Sequence, residues 1–396
     1  MIGEESGDDL QNTMNAPLTL LDLAPNIPEG LPQGLPNYWY PILQSEELPA
    51  DKPVGVRILG EALAVWRDAD SQPCVVRDRC PHRSMKLSVG RVMDGNLQCI
   101  LHGLRFDGKG ICTLIPWEKE RGAAHERVGV LAYPAQELGG YIWAYIGDAA
   151  KFPPSPLETE VPEELTKPDE FVCFRLKTQI WKSNWLLAID GSDGFHAITL
   201  HTISQSASDI SRQGGVPLKD RRVQIVHTNH GVRGISVDLE GKPIGHGHFT
   251  TDVRGERFVL PCLTTNPISP APGAASYASR LWQFPVDENH TMIVRYLAFR
   301  AGNEAERAKA KASFDSVAAQ RLEKVGEEDA WAVEAQGDLL EARRSETLLS
   351  PDEDVVKVRR MIARAFVNKV TAGSRDPIPP GALDCPVSSG LASVAT

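Results

Sequence analysis

Two short motifs bring thiol and imidazole groups together at nearly matched spacing. They are Cys80-Pro81-His82 and Cys99-Ile100-Leu101-His102, which read C-x-H, sixteen residues, then C-x-x-H. Each offers one thiolate and one imidazole, both good ligands for transition metals. Two chemistries fit. A [2Fe–2S] cluster of mixed ligation needs two cysteines on one iron and two histidines on the other, so two loops each give one ligand to each iron. A Cys2His2 zinc site needs the same four side chains. Zinc fingers usually group cysteines in one half and histidines in the other, whereas here the two types alternate. The alternation favours the mixed-ligand cluster.

A second constellation runs from Asn184 to His201. Asp190, Asp193 and His196 recur every three residues, so in a helix they share a face. His201 lies five beyond His196, about 140° further round a regular helix. One straight helix cannot aim both imidazoles at one ion, so a break or bulge is expected between them. Two histidines with a distant carboxylate form the facial triad of non-haem Fe(II) oxygenases, which leaves positions open for O2. An acidic helix late in the chain, Gly326–Glu334, offers candidates for the third ligand. Glu327 and Glu334 read as solvent-facing, and Asp329 and Glu328 stay in contention.

These groups must be positioned by a chain of 396 residues, long enough for two cores. Its net charge of −10 argues against a nucleic-acid partner. No apolar run is long enough to span a membrane. The N-terminus is acidic (Glu4, Glu5, Asp8, Asp9) and lacks the basic start of a signal peptide. Seven cysteines do not suggest a disulfide framework, and Cys74, Cys112, Cys173, Cys262 and Cys385 read as reduced thiols in a cytoplasmic protein. Charge is uneven. Between Cys74 and Gly110, Arg77, Arg79, Arg83, Lys86, Arg91, Arg105 and Lys109 face only Asp78, Asp94 and Asp107, a local balance of +4. This is either a solvated surface or a docking face for an acidic electron donor.

Residues 1–36 read as an arm with little structure of its own. Residues 37–150 carry short β-strands and both Cys/His motifs. Val56–Leu59 and Ala62–Trp66 form a hairpin about Gly60-Glu61, and Tyr141–Ile146 is a further strand. Pro153–Pro156 looks like the exit linker. Residues 151–372 mix strands (Phe171–Leu176, Arg222–Thr228, Val232–Leu239, Arg280–Phe284, Met292–Phe299) with a helical region over about 303–344, interrupted near Gly326. Ser350-Pro351-Asp352-Glu353 predicts a helix start with Ser350 as N-cap. Residues 373–396 read as a loose tail.

The first motif pair resembles the Rieske domain of bacterial ring-hydroxylating oxygenases. The family more often has Gly where Ser84 stands, and Pro-Tyr and Trp where Ile100-Leu101 and Leu104 stand, but all four ligand positions are kept. The extra loop cysteines of respiratory-chain Rieske proteins are missing. Asn184-Trp185, then Asp193-x-x-His196-x-x-x-x-His201, resembles the family's iron motif. Asn37–Pro41, Lys182–Trp185, Pro285–Asn289 and Glu328–Ala332 look like the carbazole dioxygenase branch, although that branch can have three residues, not four, between the histidines.

The resemblance implies an α+β fold: a Rieske β-domain joined to a helix-grip catalytic domain, an antiparallel sheet covered by helices. It implies a [2Fe–2S] cluster on Cys80, His82, Cys99 and His102 and a mononuclear Fe(II) on His196, His201 and Asp329. Asp193 would link the iron to a Rieske histidine of a neighbouring subunit, and Asn184 and Trp185 would pack beside the site. Phe195, Ala197 and Ile198 would line an apolar pocket or serve as core. The implied activity is O2-dependent mono- or dioxygenation of an apolar, ring-containing substrate by a homotrimer. No flavin or NAD motif appears, so electrons would come from a ferredoxin and its reductase. Oxidative O- or N-demethylation uses the same ligands. A Rieske electron carrier with an inactive second domain is the competing class.

Overall fold

The computed structural model describes residues 27, 30–118, 120–192, 196, 200–203, 222–227, 231–237, 240, 258–268, 275, 277–315, 319–349 and 352–368. The first half is built of short antiparallel strands. A three-stranded sheet pairs β1 (Tyr38–Gln44) and β10 (Ala135–Leu138) on either side of β11 (Tyr141–Ile146). A second sheet runs β2 (Val54–Ile58), β3 (Glu61–Arg67), β4 (Pro73–Arg77) and β9 (Ala132–Tyr133). A third, β5 (Arg91–Met93), β6 (Asn96–Gln98), β7 (Arg105–Phe106) and β8 (Cys112–Leu114), is a simple meander. The short helix α1 (Ala123–Arg127) lies between β8 and β9. The β2–β3 hairpin turns at Leu59 and Gly60, both at positive φ (50° and 77°), as the twist of a two-residue hairpin demands. β11 is all aromatic and aliphatic and wholly buried, because it is covered on both faces.

The second half is an eight-stranded antiparallel sheet with helices. Its order is β12 (Phe171–Arg175), β19 (His290–Arg300), β18 (Tyr277–Asp287), β17 (Leu263–Ile268), β16 (Phe258–Val259), β15 (Gly231–Val237) and β14 (Arg222–His227), with β13 (Gln179–Trp181) also pairing to β19. The helices are α2 (Leu157–Glu160), α3 (Trp185–Asp190), α4 (Leu200–Ile203), α5 (Glu304–Ser313), α6 (Ala319–Glu334), α7 (Leu339–Ser345) and α8 (Glu353–Val367). No helix among the described residues is long and apolar enough to cross a membrane. This α+β arrangement matches the expected architecture.

An aromatic seam joins the halves. Trp143 on β11 stands edge-on to Trp282 on β18 at 5.3 Å, and Tyr141 approaches Trp282 at 5.8 Å. The β2–β3 turn is tied to the end of β18, with Leu59 and Gly60 amides donating to Pro285 and Val286 carbonyls. Behind the sheet, buried Glu164 accepts from Arg280 Nε at 2.6 Å and from Tyr296 Oη at 3.0 Å. That fixes the segment leaving the first half onto β18 and β19. A buried pair of this kind carries a desolvation cost, which the extra hydrogen bonds offset.

Three expectations need correction. Residues 31–36 do have structure: Leu31–Gln33 form a 3-10 turn, and Leu31 and Leu35 are buried. Gly326 does not interrupt a helix, since α6 runs straight through it. A Cβ at Gly326 would sit 3.0 Å from Gln179 Oε1 on β13, so the glycine lets helix and sheet approach closely. The break falls instead around Gly337, whose φ is +74°. The last helix starts at Glu353 with Asp352 at its N-cap, while Ser350 and Pro351 lie outside the described residues. The arm before Ile27 and the expected tail 373–396 also lie outside them.

Candidate metal centres

The first centre stands on two loops of the same design. One joins β4 to β5 and the other joins β6 to β7. In each, the cysteine amide donates across the loop (Cys80 to Met85 O, Cys99 to Leu104 O, both 2.8 Å). In each, the cysteine carbonyl accepts from the residue four on (Ser84 at 2.9 Å, Gly103 at 3.0 Å). That fourth residue must turn left-handed, and the φ values are +56° at Ser84 and +77° at Gly103. A glycine is unstrained there and a serine is not, which accounts for the family's usual glycine in the first loop.

The loops set the cysteines inside and the histidines outside. Cys80 and Cys99 are buried in a core with Trp66, Leu97, Leu104 and Phe106. His82 is exposed, His102 is half-buried, and their ring centroids are 4.6 Å apart. Burial pushes the Cys80 thiol up to about 11; backbone amides of His82 and Arg83 pull it down, while neighbouring Cys99 pushes it up. Amides aimed at sulfur and two adjacent thiols suit a bound iron, which displaces the protons. One zinc ion would need all four donors round a single point. Among the described residues these four do not cluster so tightly, whereas His196, His201 and Asp329 do. The pairwise split suits a two-iron cluster.

Trp117, which no spacing pattern singles out, stands over this edge. Its ring lies 5.6 Å from that of His82 and 6.5 Å from that of His102, and it is 56% exposed. Ile100 and Leu101 are also exposed beside His102. Among the basic residues of this region, Arg77 pairs with Glu61 and Arg105 with Asp94. Arg79, Arg83, Lys86, Arg91 and Lys109 are exposed.

The second centre lies between the two halves of the split iron motif and α6. Helix α3 opens at Asn184, whose Oδ1 accepts from the Leu186 amide at 3.0 Å. Its Nδ2 donates to the Pro32 carbonyl at 3.0 Å and to the Glu288 carbonyl at 2.7 Å. Trp185 Nε1 donates to Leu31 O at 3.2 Å. These two residues thus pin the N-terminal segment and the β18–β19 turn to the helix. The helix ends at Asp190, which is held by Arg343 and Arg359. Asp190 therefore shares no helix with His196, and residues 197–199, where the break between the two histidines is expected, lie outside the described residues. His196 sits in a separate 3-10 turn, and His201 lies on α4. Asp193, Phe195, Ala197 and Ile198 fall outside the described residues.

His196, His201 and Asp329 offer ligand atoms that all lie within 4.8 Å of one another. Asp329 comes from within α6. Its Oδ1 lies 3.3 Å from His196 Nε2 and 3.2 Å from His201 Nε2. Neither contact is aligned as a hydrogen bond, and Oδ1 is buried with no hydrogen-bond partner. A buried carboxylate oxygen with no hydrogen-bond partner, set between two imidazole nitrogens, is a donor set that fits a metal ion. Burial raises the Asp329 carboxyl, but His196, His201 and Arg295 outweigh it and hold the group at about 2. Arg295 is buried on β19, with Nη2 3.9 Å from Asp329 Oδ2. His201 is 2% exposed, and its Nδ1 meets Glu328 Oε2 at 2.8 Å. Glu334 is half-buried, and its Oε1 accepts from the Lys182 amide at 2.8 Å. Glu327 is exposed.

Residues 38–134 match the Rieske [2Fe–2S] domain family. Residues 145–367, more than half the chain, match the homotrimeric ring hydroxylase family. The chain belongs to that family of Rieske ring hydroxylases. Relatives of this ring hydroxylase include the 3-chlorobenzoate-3,4-dioxygenase oxygenase subunit of Comamonas testosteroni. It is 30% identical over 270 residues, covering 67% of this chain and 59% of that one. The carbazole 1,9a-dioxygenase terminal oxygenase component of Metapseudomonas resinovorans is 29% identical over 358 residues, covering 83% and 90%. The chain thus spans under two thirds of the first relative and nearly all of the second. Among solved structures, the carbazole-bound oxygenase–ferredoxin complex of carbazole 1,9a-dioxygenase superposes with a TM-score of 0.67 at 25% identity, over 84% of this chain and 90% of that one. The reduced oxygenase–ferredoxin complex gives 0.65 at 28% identity, over 84% and 90%. The family carries a Rieske cluster and a mononuclear iron, and the donor sets described above fit both.

Proposed function

We propose that this chain is the terminal oxygenase component of a ring-hydroxylating system, taking electrons from a ferredoxin and inserting oxygen from O2 into an aromatic or heteroaromatic substrate. The observation that carries the reading is the convergence of His196, His201 and Asp329 round one buried, partnerless carboxylate oxygen. A carrier protein has no use for such a trio.

When bound, the cluster supplies single electrons and the ferrous iron supplies reductive O2 activation. The chain's own residues do the rest. Cys80 and Cys99 would hold one iron of the cluster from within an apolar core that excludes water. His82 and His102 would hold the other iron from the exposed side, where a redox partner can approach. The exposed rim of Ile100, Leu101 and Trp117 offers apolar contact, and Arg83 and Lys86 offer positive charge to an acidic donor. His196, His201 and Asp329 would hold the mononuclear iron. Asp193 is assigned the link between the iron and a Rieske histidine of the neighbouring subunit. The assembly is a cytoplasmic homotrimer, with 37–150 as Rieske domain and 151–372 as catalytic domain.

Metal and sulfide analysis of anaerobically purified protein tests this. The proposal expects three irons per chain, two from the cluster and one mononuclear. Ferredoxin-dependent O2 uptake with a panel of aromatic and heteroaromatic compounds should yield hydroxylated products. Two irons per chain after iron loading, with no product from any ring compound, would leave only the electron-carrier reading.

A further inference from the structure

Asp329 and Glu328 are neighbours on α6, yet they meet opposite edges of one imidazole. Asp329 Oδ1 lies 3.2 Å from His201 Nε2, and Glu328 Oε2 lies 2.8 Å from His201 Nδ1. Successive helical residues point about 100° apart, so two adjacent carboxylates can straddle a ring that enters from another helix. The ring is held tightly: His201 is 2% exposed, and the Glu328 side chain keeps 18% of its exposure. Family resemblance assigns Glu328 no role, and from sequence alone it is only a rival of Asp329 for the third ligand position.

We infer that Glu328 is a positioning residue for the mononuclear metal, accepting a hydrogen bond from His201 Nδ1–H and so turning the Nε2 lone pair toward Asp329 and His196. Neutral imidazole carries one proton on either nitrogen. Only the form protonated at Nδ1 leaves Nε2 free to bind a metal. An acceptor fixed at Nδ1 selects that form before the ion arrives and holds the ring plane in place. Its negative charge also makes the ring a better donor. With Asp329, the metal then senses two carboxylates, one bound directly and one through His201. Arg295, 3.9 Å from Asp329 Oδ2, balances part of that charge from the sheet side.

The inference rests on the proposed iron site, and the test separates the two. Ferrous ion affinity is measured anaerobically by competition with a ferrous chelator for the full-length protein and for Glu328→Ala, Glu328→Gln and Asp329→Ala. Rieske absorbance and melting temperature report on folding. Cobalt(II) bound at the emptied mononuclear site reports ligand geometry through its visible bands. Glu328→Ala should weaken Fe(II) binding about 10- to 100-fold, the range seen for such outer partners, with cobalt bands altered and the Rieske spectrum unchanged. Glu328→Gln keeps an acceptor oxygen and should recover most of that loss, which a purely structural side chain would not require. Wild-type affinity and unchanged cobalt bands in Glu328→Ala, alongside loss of iron in Asp329→Ala, would overturn the positioning role and leave the iron site standing. Loss of iron in Glu328→Ala with full retention in Asp329→Ala would make Glu328 itself the ligand and overturn both assignments. If Glu328→Ala fails to fold, Glu328→Gln decides: affinity as weak as in Asp329→Ala would refute the acceptor argument.

Discussion

Asn184 makes three hydrogen bonds from a 4% exposed side chain, and each has a different job. Its Oδ1 caps α3, the helix that leads into the iron loop. One Nδ2 bond fixes the N-terminal segment at Pro32, and the other fixes the β18–β19 turn at Glu288. Asn184→Ala removes the cap, worth about 1 kcal/mol. It also leaves the Pro32 carbonyl without its donor, costing about 1–2 kcal/mol. Glu288 lies in an exposed turn, so water can replace that bond at little cost. The expected loss is therefore about 2–3 kcal/mol, read from urea unfolding followed by tryptophan fluorescence. Asn184→Asp is the sharper test. It keeps the capping oxygen but turns the second oxygen toward two carbonyl oxygens at the former 2.7 and 3.0 Å contacts. That geometry favours the protonated acid, so the variant's carboxyl is raised in the folded state. A raised folded value gives stability that is present at low pH and lost as pH rises through it. Asn184→Asp should thus be less stable than wild type at neutral pH, and the gap should narrow on acidification toward the ordinary carboxyl range. A loss under about 1 kcal/mol in Asn184→Ala, or a gap that widens on acidification in Asn184→Asp, would refute the argument.

Three further outcomes are expected. Ser84→Gly relieves a left-handed φ of +56°, so it should raise stability by up to about 1 kcal/mol in chemical unfolding, the gain partly offset by the more flexible unfolded chain; a loss would contradict the strain. Neutralising Arg83 and Lys86 together should slow reduction of the cluster by a ferredoxin in stopped flow, and added salt should slow the unmutated protein in the same direction; salt-independent kinetics would mean that the basic region is only solvated. Glu164→Ala strands the buried Arg280 guanidinium, which Glu164 meets at 2.6 Å. It should cost about 3–5 kcal/mol, whereas a well-tolerated change would show that water reaches this site.

The Cys/His motifs were legible because their chemistry is local. Two loops of fixed spacing present their own ligands, so residue type and order already distinguish mixed iron ligation from a zinc finger. The hairpin about Gly60 and the strand Tyr141–Ile146 were legible for the same reason, since a turn residue or an unbroken apolar run dictates its own conformation. Other features depend on partners far away in the chain. Gly326 reads as a helix breaker until Gln179 is seen against it. Asp190 reads as one of a helical row with His196 until α3 stops at that residue and two arginines close on it. Ser84 reads as an ordinary departure from a family glycine until its backbone angle is known. Asp329, 128 residues beyond His201, could be singled out among four nearby carboxylates only through family resemblance. Which side chains of α6 reach the histidines is set by the rotation of that helix on the sheet, and the rotation is set by packing between α6 and β13 and β19. Sequence periodicity places Glu328 on a polar stretch; only the tertiary fold turns it toward the back of His201.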